Sequence, residues 1–173
     1  MNAPVVAAPF GWARAAVARL TFRRITDADL PFLARVYAST RAEELATVSD
    51  WSSEQKAAFV DHQFRAQHAH YQKYYPEADW LVMSHAGADV GRLYIERWPS
   101  QHRLIDITFL PEHRGKGLGE ALLRDLMDEA AAAGKDVSIH VEKFNPAMRL
   151  YRRLGFTVEE DKGVYDLMRW TRS

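Results

Sequence analysis

The sequence predicts a single α/β domain with one mixed, mostly antiparallel sheet that is flanked by helices. The chain has 173 residues, 47% of them hydrophobic, which suits one domain with a single core. Segments with the two-residue alternation of strands occur among segments with the spacing of amphipathic helices. Their order from residue 21 onward is β-α-α-β-β-β-α-β-α-β-β. The three consecutive strands indicate an antiparallel meander, and the whole order indicates a mixed sheet.

The first elements are a strand over residues 21–26 and a helix that ends near Thr40. Asp27 or Asp29 can cap this helix, because a short acidic side chain accepts hydrogen bonds from the free amides of the first turn. Pro31 then lies in the first turn, where a missing amide hydrogen is tolerated. These signals predict where the helix begins.

A longer helix follows and leads into the meander. It begins at Ser52 or Ser53 and ends near Tyr75, before Pro76, since proline cannot continue a helix. The strands of the meander are expected over residues 80–83, 90–98 and 103–110. The turns between them are short, which is typical of antiparallel neighbours.

The second half of the domain alternates between helices and strands. A glycine-rich segment, residues 111–119, precedes an amphipathic helix that runs to about Ala133. Gly134 ends this helix, as glycine commonly does. The remaining elements are a buried strand, a short helix and two paired strands, over residues 137–141, 145–155, 156–160 and 164–170.

Residues 1–20 are predicted to be an N-terminal extension, and residues 21–173 the single domain. The extension contains no acidic residue and is interrupted by Pro4, Pro9 and Gly11, so it lacks the uninterrupted apolar stretch of a signal peptide. We expect either a poorly ordered segment or a short helix that packs on the domain. This interpretation predicts a cytoplasmic protein.

The composition excludes several classes of function. Lys and Arg together number 23, as do Asp and Glu, so the formal net charge is zero. A neutral chain has no overall field for binding nucleic acid or an anionic membrane. The absence of cysteine excludes disulfides, thiolate zinc sites and a cysteine nucleophile. No apolar run approaches the roughly 20 residues of a membrane-spanning helix.

The most informative segment is a glycine-rich turn between a predicted strand and a predicted helix. It consists of Arg114, Gly115, Lys116, Gly117, Leu118 and Gly119. The first turn of a helix leaves backbone amides unpaired and carries partial positive charge, and glycines allow a ligand to approach this backbone. Such a turn with two cations suits a diphosphate. The alternative is a structural turn with basic residues on its surface.

Two nucleotide-binding motifs do not fit this segment. A dinucleotide fold requires Gly-x-Gly-x-x-Gly, but Glu120 occupies the position of the third glycine. The P-loop pattern Gly-x-x-x-x-Gly-Lys-Ser/Thr does not occur in the chain. The diphosphate is therefore expected to belong to another kind of ligand.

Two motifs resemble those of a known family. Arg-x-x-Gly-x-Gly, present as Arg114, Gly117 and Gly119, resembles the acyl-CoA pyrophosphate loop of the GNAT superfamily of N-acetyltransferases. The segment from Asn145 to Phe156 is similar to the family's Asn…Leu-Tyr…Leu-Gly-Phe segment. The order of elements also resembles the GNAT fold along nearly the whole domain. The resemblance implies an enzyme that binds acetyl-CoA as a co-substrate, with no metal.

The resemblance also implies which residues bind acetyl-CoA. In this family the strand before the loop contacts the pantetheine arm, which here implies Ile107, Thr108 and Phe109. The backbone amides from Gly115 to Glu120 would hold the pyrophosphate. Asn145 matches a polar residue that often contacts the arm.

Tyr151 matches the family's tyrosine that donates a proton to the departing CoA thiolate. A donor near the sulfur lowers the barrier to its departure; the alternative is that the Tyr151 ring only packs against apolar neighbours. The attacking amine must be uncharged, although most amines are protonated near neutrality, so a base is expected beside it. We rank His140 first because some members have a glutamate base there and because histidine titrates near neutral pH. Asp106 and Glu96 are the alternatives.

Two further groups lie on the long helix. His62, His68 and His70 are spaced by six and two residues, which does not place them on one helical face, so no metal site is predicted. Three tyrosines at the end of the helix either border the acceptor pocket or pack as core and rim aromatics. They are Tyr71, Tyr74 and Tyr75.

The sequence therefore predicts an N-acetyltransferase that acts by direct attack in a ternary complex, since a chain without cysteine cannot form an acetyl-cysteine. The acceptor is expected to be a primary amine on a small molecule or peptide, with no nucleic-acid or membrane partner. A non-catalytic acyl-CoA-binding module and a transferase of a longer acyl group are the alternatives. Exposed edge strands are compatible with a homodimer, and the sequence leaves the oligomeric state open.

Overall fold

The computed structural model describes residues 5–6 and 11–173 of the chain. The helices are α1 Ala13–Val17, α2 Leu30–Ala46, α3 Ser53–Tyr74, α4 Leu118–Ala132 and α5 Met148–Arg153. The strands are β1 Val5–Val6, β2 Leu20–Arg24, β3 Asp79–His85, β4 Ala88–Arg97, β5 Gln101–Phe109, β6 Asp136–Glu142, β7 Thr157–Asp161 and β8 Tyr165–Trp170. Residues 1–4 and 7–10 of the predicted extension lie outside the described residues. Within the described ranges, no helix combines the length and apolar character that crossing a membrane requires.

The strands form one sheet in the order β1-β2-β3-β4-β5-β6-β8-β7. Every neighbouring pair is antiparallel except β5 and β6. From β2 onward, helices and strands follow one another in the predicted order. The predicted fold class, a mixed and mostly antiparallel sheet flanked by helices, is confirmed.

Helix α2 is longer than predicted and continues beyond Thr40 to Ala46. The hydroxyls of Ser39 and Thr40 donate to the carbonyl oxygens of Val36 and Tyr37, each at 2.6 Å. Because these hydroxyls bond within the helix, they do not compete with it, and the helix passes through them.

The short helix expected from residue 145 begins at Met148 instead. The Ala147 amide donates to Oδ1 of Asn145 at 2.9 Å, and the Met148 amide donates to the Asn145 carbonyl oxygen at 3.0 Å. These two bonds form a turn, as Asn side chains often do. Asn145 therefore leads into α5 without belonging to its first turn.

Helices pack on both faces of the sheet and form two apolar cores. We call the face covered by α1, α4 and α5 the α4 face, and its core includes Trp12, Leu122 and Tyr151. The face covered by α2 and α3 is the α3 face, and its core includes Leu33 and Phe64. Because strand residues point alternately to the two faces, the sheet separates the two cores.

The segment before β2 packs on the α4 face. Trp12 is buried, and its ring meets that of Phe22 edge-on with 5.0 Å between the ring centres. Asp125 of α4 accepts hydrogen bonds from the Ala15 amide at 2.8 Å and from the Arg14 side chain at 3.2 Å. Apolar packing and an ion pair thus join α1 to α4.

Strands β5 and β6 diverge in the middle of the sheet. They pair in parallel only from Gln101 with Asp136 to Leu104 with Ile139. Beyond these residues β5 continues beside β4 to Phe109, while β6 continues beside β8. The register of the β4–β5 pair shifts at this point, and such a bulge bends a strand. The divergence leaves a gap between β5 and β6, where the candidate site lies.

Candidate active site

The gap exposes one edge of β5. Ile107, Thr108 and Phe109 pair with β4 on one side, and no strand of the described residues pairs with them on the other. Gly91 of β4 is required for this arrangement, because a Cβ there would collide with the carbonyl oxygen of Thr108. The backbone that the resemblance assigns to the pantetheine arm is therefore open toward the gap.

Residues 114–120 form an open cradle at the start of α4. Gly115 and Gly117 have φ of +73° and +78°, left-handed backbone that favours glycine. No described atom lies within 4 Å of the position of a Cβ at either residue. The first bond within the helix runs from the Ala121 amide to the Gly117 carbonyl oxygen at 3.1 Å, so the amides of the first turn lack a helical partner. This geometry suits a diphosphate.

Arg114 ties the cradle to two neighbouring elements. Its Nε donates to the Phe109 carbonyl oxygen at 2.8 Å, and its Nη2 donates to Oγ of Ser39 at 3.3 Å. Both acceptors are neutral, so the positive charge beside the cradle persists. A Cβ at Gly119 would meet the Phe109 ring at 3.7 Å, an ordinary contact. The fold itself therefore does not require this glycine, whereas close approach of a ligand would.

The acidic residue of the cradle, Glu120, is covered by two arginines. Its carboxylate lies 2.9 Å from Arg153 of α5 and 3.0 Å from Arg124. Hydrogen bonds from Arg153 and then Arg124 lower the pKa of Glu120. The carboxylate is thus neutralised beside the unpaired amides, and α5 is joined to the cradle.

Tyr151 of α5 is buried on the α4 face, and its ring meets that of Phe156 edge-on with 5.6 Å between the ring centres. Burial, and secondarily the charge of Asp106, raise the pKa of Tyr151 well above its usual value. The hydroxyl is protonated at neutral pH and can serve as a proton donor.

Two of the three candidate bases are engaged by other groups. Asp106 forms an ion pair with the fully buried Arg92 at 2.8 Å and accepts a hydrogen bond from a threonine hydroxyl at 2.6 Å. Glu96 is buried and accepts hydrogen bonds from the Glu77 amide at 3.1 Å and from Nε1 of Trp98 at 2.8 Å. Both carboxylates therefore have structural partners.

His140 lies on β6 and lines a cavity on the α3 face. His140 is an exposed residue of β6, but partial desolvation, and then the charges of Arg103 and Lys162, lower its pKa, so the ring is mostly neutral near pH 7. Nδ1 lies 3.0 Å from Nη1 of Arg103. Because a guanidinium can only donate, Nδ1 accepts, and the proton of the neutral ring is assigned to Nε2.

The cavity on the α3 face has a volume of about 460 Å³. Its lining comes from α3, β5, β6 and the β7–β8 hairpin: Gln67, His70, Tyr71, Tyr75, Arg103, Leu104, Ile105, His140, Lys162 and Tyr165. Tyr71 and Tyr75 thus border the cavity. Tyr74 is exposed, and its ring is tilted against that of His70 with 4.5 Å between the ring centres. Among the described residues, no three potential metal ligands come together.

Two arginines of the site, Arg92 and Arg103, were not predicted from the sequence. Arg92 is 2% exposed and donates to both Asp106 and Gln67. A usable signal exists, since Arg92 interrupts the otherwise apolar run from Val90 to Ile95. A charge in such a strand indicates a buried ion pair.

Comparisons with known proteins place these features in a family. Residues 45–156 match the family model described as "Acetyltransferase (GNAT) family". Mycothiol acetyltransferase from Corynebacterium glutamicum is 31% identical over 120 residues, which cover 68% of this chain and 40% of that protein. L-amino acid N-acyltransferase MnaT from Escherichia coli is 36% identical over 85 residues, 45% of this chain and 49% of that protein. The matched part of the chain spans less than half the length of either relative.

Two solved structures are similar over most of the chain. PaiA N-acetyltransferase from Thermoplasma acidophilum, in complex with coenzyme A, has a TM-score of 0.63 and 16% identity. The match covers 89% of this chain and 99% of that one, and it shows a shared fold. YncA from Salmonella typhimurium, solved with acetyl-CoA, has a TM-score of 0.52 and 25% identity, with 90% and 95% covered.

Proposed function

The chain belongs to the GNAT family of acetyltransferases, and we propose that it transfers an acetyl group from acetyl-CoA to a primary amine by direct attack in a ternary complex. The observation that carries the proposal is the gap between β5 and β6, which has the cradle at one end and the cavity beside it. The two substrates can thus approach from different faces of the sheet. Their direct meeting needs no covalent enzyme intermediate.

The residues of the gap and the cradle fit acetyl-CoA, which supplies a thioester carbon for the amine to attack. The amides from Gly115 to Glu120 would hold the pyrophosphate, and Arg114 and Lys116 add positive charge. The open edge of β5 at Ile107–Phe109 would hydrogen-bond the pantetheine arm. The side-chain oxygen of Asn145 accepts from the Ala147 amide, and its nitrogen, which has no hydrogen-bond partner among the described residues, would donate to the same arm.

Tyr151 and His140 would move the two protons of the reaction from opposite faces of the sheet. As the nitrogen–carbon bond forms and the carbon–sulfur bond breaks, Tyr151 gives its proton to the departing sulfur. His140, neutral because of its lowered pKa, takes the proton that the amine loses. Arg103 must first release Nδ1, since an occupied lone pair cannot accept a proton.

The names of the relatives support a small molecule as the acceptor. One name refers to mycothiol and another to L-amino acids. The cytoplasmic location stays a prediction from the sequence, which is also compatible with a homodimer.

Titration calorimetry and a thiol-release assay test the proposal. Acetyl-CoA and CoA should bind, and ATP and NAD should not. Tyr151→Phe should bind acetyl-CoA as the unmodified protein does and lose roughly 100-fold or more in kcat. Tyr74→Phe is the matched control, because it removes the same atom from an exposed ring outside the cavity.

Four other outcomes would contradict part or all of the proposal. Unchanged transfer by Tyr151→Phe would contradict the proton-donor role. Binding of CoA without transfer to any amine would favour an acyl-CoA-binding module. Faster turnover of propionyl- or succinyl-CoA would favour a longer acyl group. A folded protein that does not bind CoA would overturn the proposal.

A further inference from the structure

We propose that the acceptor is a primary amine that also carries a carboxylate, and that Arg103 binds this carboxylate in the cavity on the α3 face. The inference rests on the proposed acetyl transfer and specifies its acceptor. It is carried by the surroundings of Arg103, by the chemistry of the cavity lining and by the separation of Arg103 from the cradle.

Arg103 is a buried arginine, 7% exposed, that no carboxylate of the described residues approaches within ion-pair distance. Its Nε donates to Oγ of Ser138 at 3.0 Å, and the Ser138 hydroxyl donates to the side-chain oxygen of Gln101. Its Nη1 lies 3.0 Å from Nδ1 of His140, and its guanidinium carbon lies 4.6 Å from the centre of the Trp98 ring. These groups orient the guanidinium without neutralising it.

The other arginines that are buried or half-buried all have a carboxylate partner. The pairs are Arg23–Asp29 at 2.8 Å, Arg41–Glu142 at 2.7 Å, Arg92–Asp106 at 2.8 Å, Arg97–Asp79 at 2.7 Å and Arg169–Asp136 at 3.0 Å. Burial lowers the pKa of Arg103, and the Tyr75 side chain and then the charge of Glu159 oppose this shift. Glu159 itself pairs with Arg169 at 3.3 Å. A buried charge without a counter-ion is costly, and an anionic group of a ligand would supply the missing partner.

The polar groups that line the cavity favour an anion. The side-chain oxygen of Gln67 accepts from Arg92 at 2.9 Å, which leaves its amide nitrogen to donate. The neutral ring of His140 has its N–H at Nε2 and can donate a hydrogen bond. Lys162 is a second cation beside Arg103 and forms an exposed pair with Glu160 at 3.0 Å. No aspartate or glutamate is among the described residues that line the cavity. Such a lining disfavours a polycationic acceptor and favours an amine with an acidic group.

Arg103 is too far from the cradle to bind the pyrophosphate. It lies near the start of β5, whereas the cradle follows the end of β5 at Phe109, a separation of about 20 Å at roughly 3.3 Å per residue. The carboxylate of the acceptor and the phosphates of acetyl-CoA therefore belong to separate sites.

Arg103 is a specificity residue that also positions His140. A carboxylate that pairs with Arg103 competes with Nδ1 of His140 for the guanidinium. Binding of the acceptor thus releases the Nδ1 lone pair when the amine is beside it. An acceptor without a carboxylate forms no ion pair with Arg103 and leaves Nδ1 of His140 bonded to the guanidinium.

The thiol-release assay at saturating acetyl-CoA tests the inference with matched acceptors. L-amino acids should have a kcat/KM about 100-fold above their carboxamides and their decarboxylated amines, after correction for the fraction of neutral amine. Arg103→Met should bring the kcat/KM values of amino acids and of their carboxamides to within about threefold of each other, because it removes the ion pair and frees Nδ1 of His140 for both kinds of acceptor. Arg103→Lys should retain part of the preference, because it keeps the charge without the bidentate geometry. Arg65→Gln, which removes an exposed arginine of α3, should retain all of it.

The outcomes separate this inference from the proposed function. Equal rates for acids and amides, or an equal loss of both in Arg103→Met, would overturn the inference and leave acetyl transfer intact. If Arg103→Met does not fold, two measurements on the unmodified protein test the inference. They are the preference for amino acids over their carboxamides and the calorimetric titration of N-acetylamino acids into the CoA complex. Absence of both turnover and N-acetylamino acid binding would overturn the inference. Failure of acetyl-CoA itself to bind would overturn the proposed function.

Discussion

The cradle is formed by backbone atoms, whereas the cavity of the α3 face is formed by side chains. The cradle is backbone from one continuous segment, residues 114–120, and its amides are unpaired because a helix begins there. The cavity is made of side chains from four elements, and its buried arginine is oriented by residues far along the chain, such as Ser138. A backbone site tolerates most side-chain changes around it, whereas a side-chain site changes with each substitution. The co-substrate site is therefore robust, and the acceptor site is adaptable.

The largest effect is expected on the α3 face at Asp106, whose carboxylate is the counter-ion of the buried Arg92. Asp106→Asn should lower the free energy of unfolding by about 3–5 kcal/mol, because it leaves a buried guanidinium unpaired. Urea denaturation measures this loss. Thr108→Val is the matched control, since it removes only the hydroxyl that donates to Asp106 and should cost about 1 kcal/mol. Unchanged stability with a lost kcat would instead identify Asp106 as the base.

The cradle should respond in binding more than in stability. Gly117→Trp should abolish acetyl-CoA binding, because the indole fills the open space in front of the amides. The left-handed backbone at this position should cost about 1–2 kcal/mol of stability. Gly87→Trp is the matched control, since Gly87 has a similar φ of +89° in the turn between β3 and β4. Calorimetry should find acetyl-CoA affinity lost in the first variant and retained in the second.

The smallest effect is expected at His140, where neighbouring charges tune a single ring. Its lowered pKa means that the ring is neutral above a midpoint that lies below 6.5 and becomes protonated only as the pH falls through that midpoint. NMR titration of the histidine rings should show this, with the resonance assigned by its absence in His140→Gln. Lys162→Gln removes a charge that lowers the pKa and should raise the midpoint, while Arg65→Gln should not. A midpoint at or above 6.5 would contradict the environment described here.

Local sequence signals were sufficient wherever the structure depends on neighbouring residues. The order of elements follows from periodicity, and the cradle follows from glycines and a helix start within a few positions of each other. The predicted ends of helices are less accurate where a side chain can form either of two hydrogen bonds. Thr40 bonds within α2 instead of ending it, and Asn145 forms a turn before α5. Those choices depend on what surrounds the residue and are not visible in its type.

The fold class, the cradle and the resemblance to the acetyltransferase family can all be inferred from the order and types of the residues. Three features are visible only in the folded chain. Strands β5 and β6 diverge after Leu104, Arg92 forms an ion pair with Asp106, and Arg103 contacts His140 with no carboxylate of the described residues beside it. The reason is distance along the chain. A helix start and a glycine turn are set by adjacent residues, whereas ion pairs between strands depend on sheet register and on a bulge that shifts it. The acceptor site is assembled from contacts of the second kind.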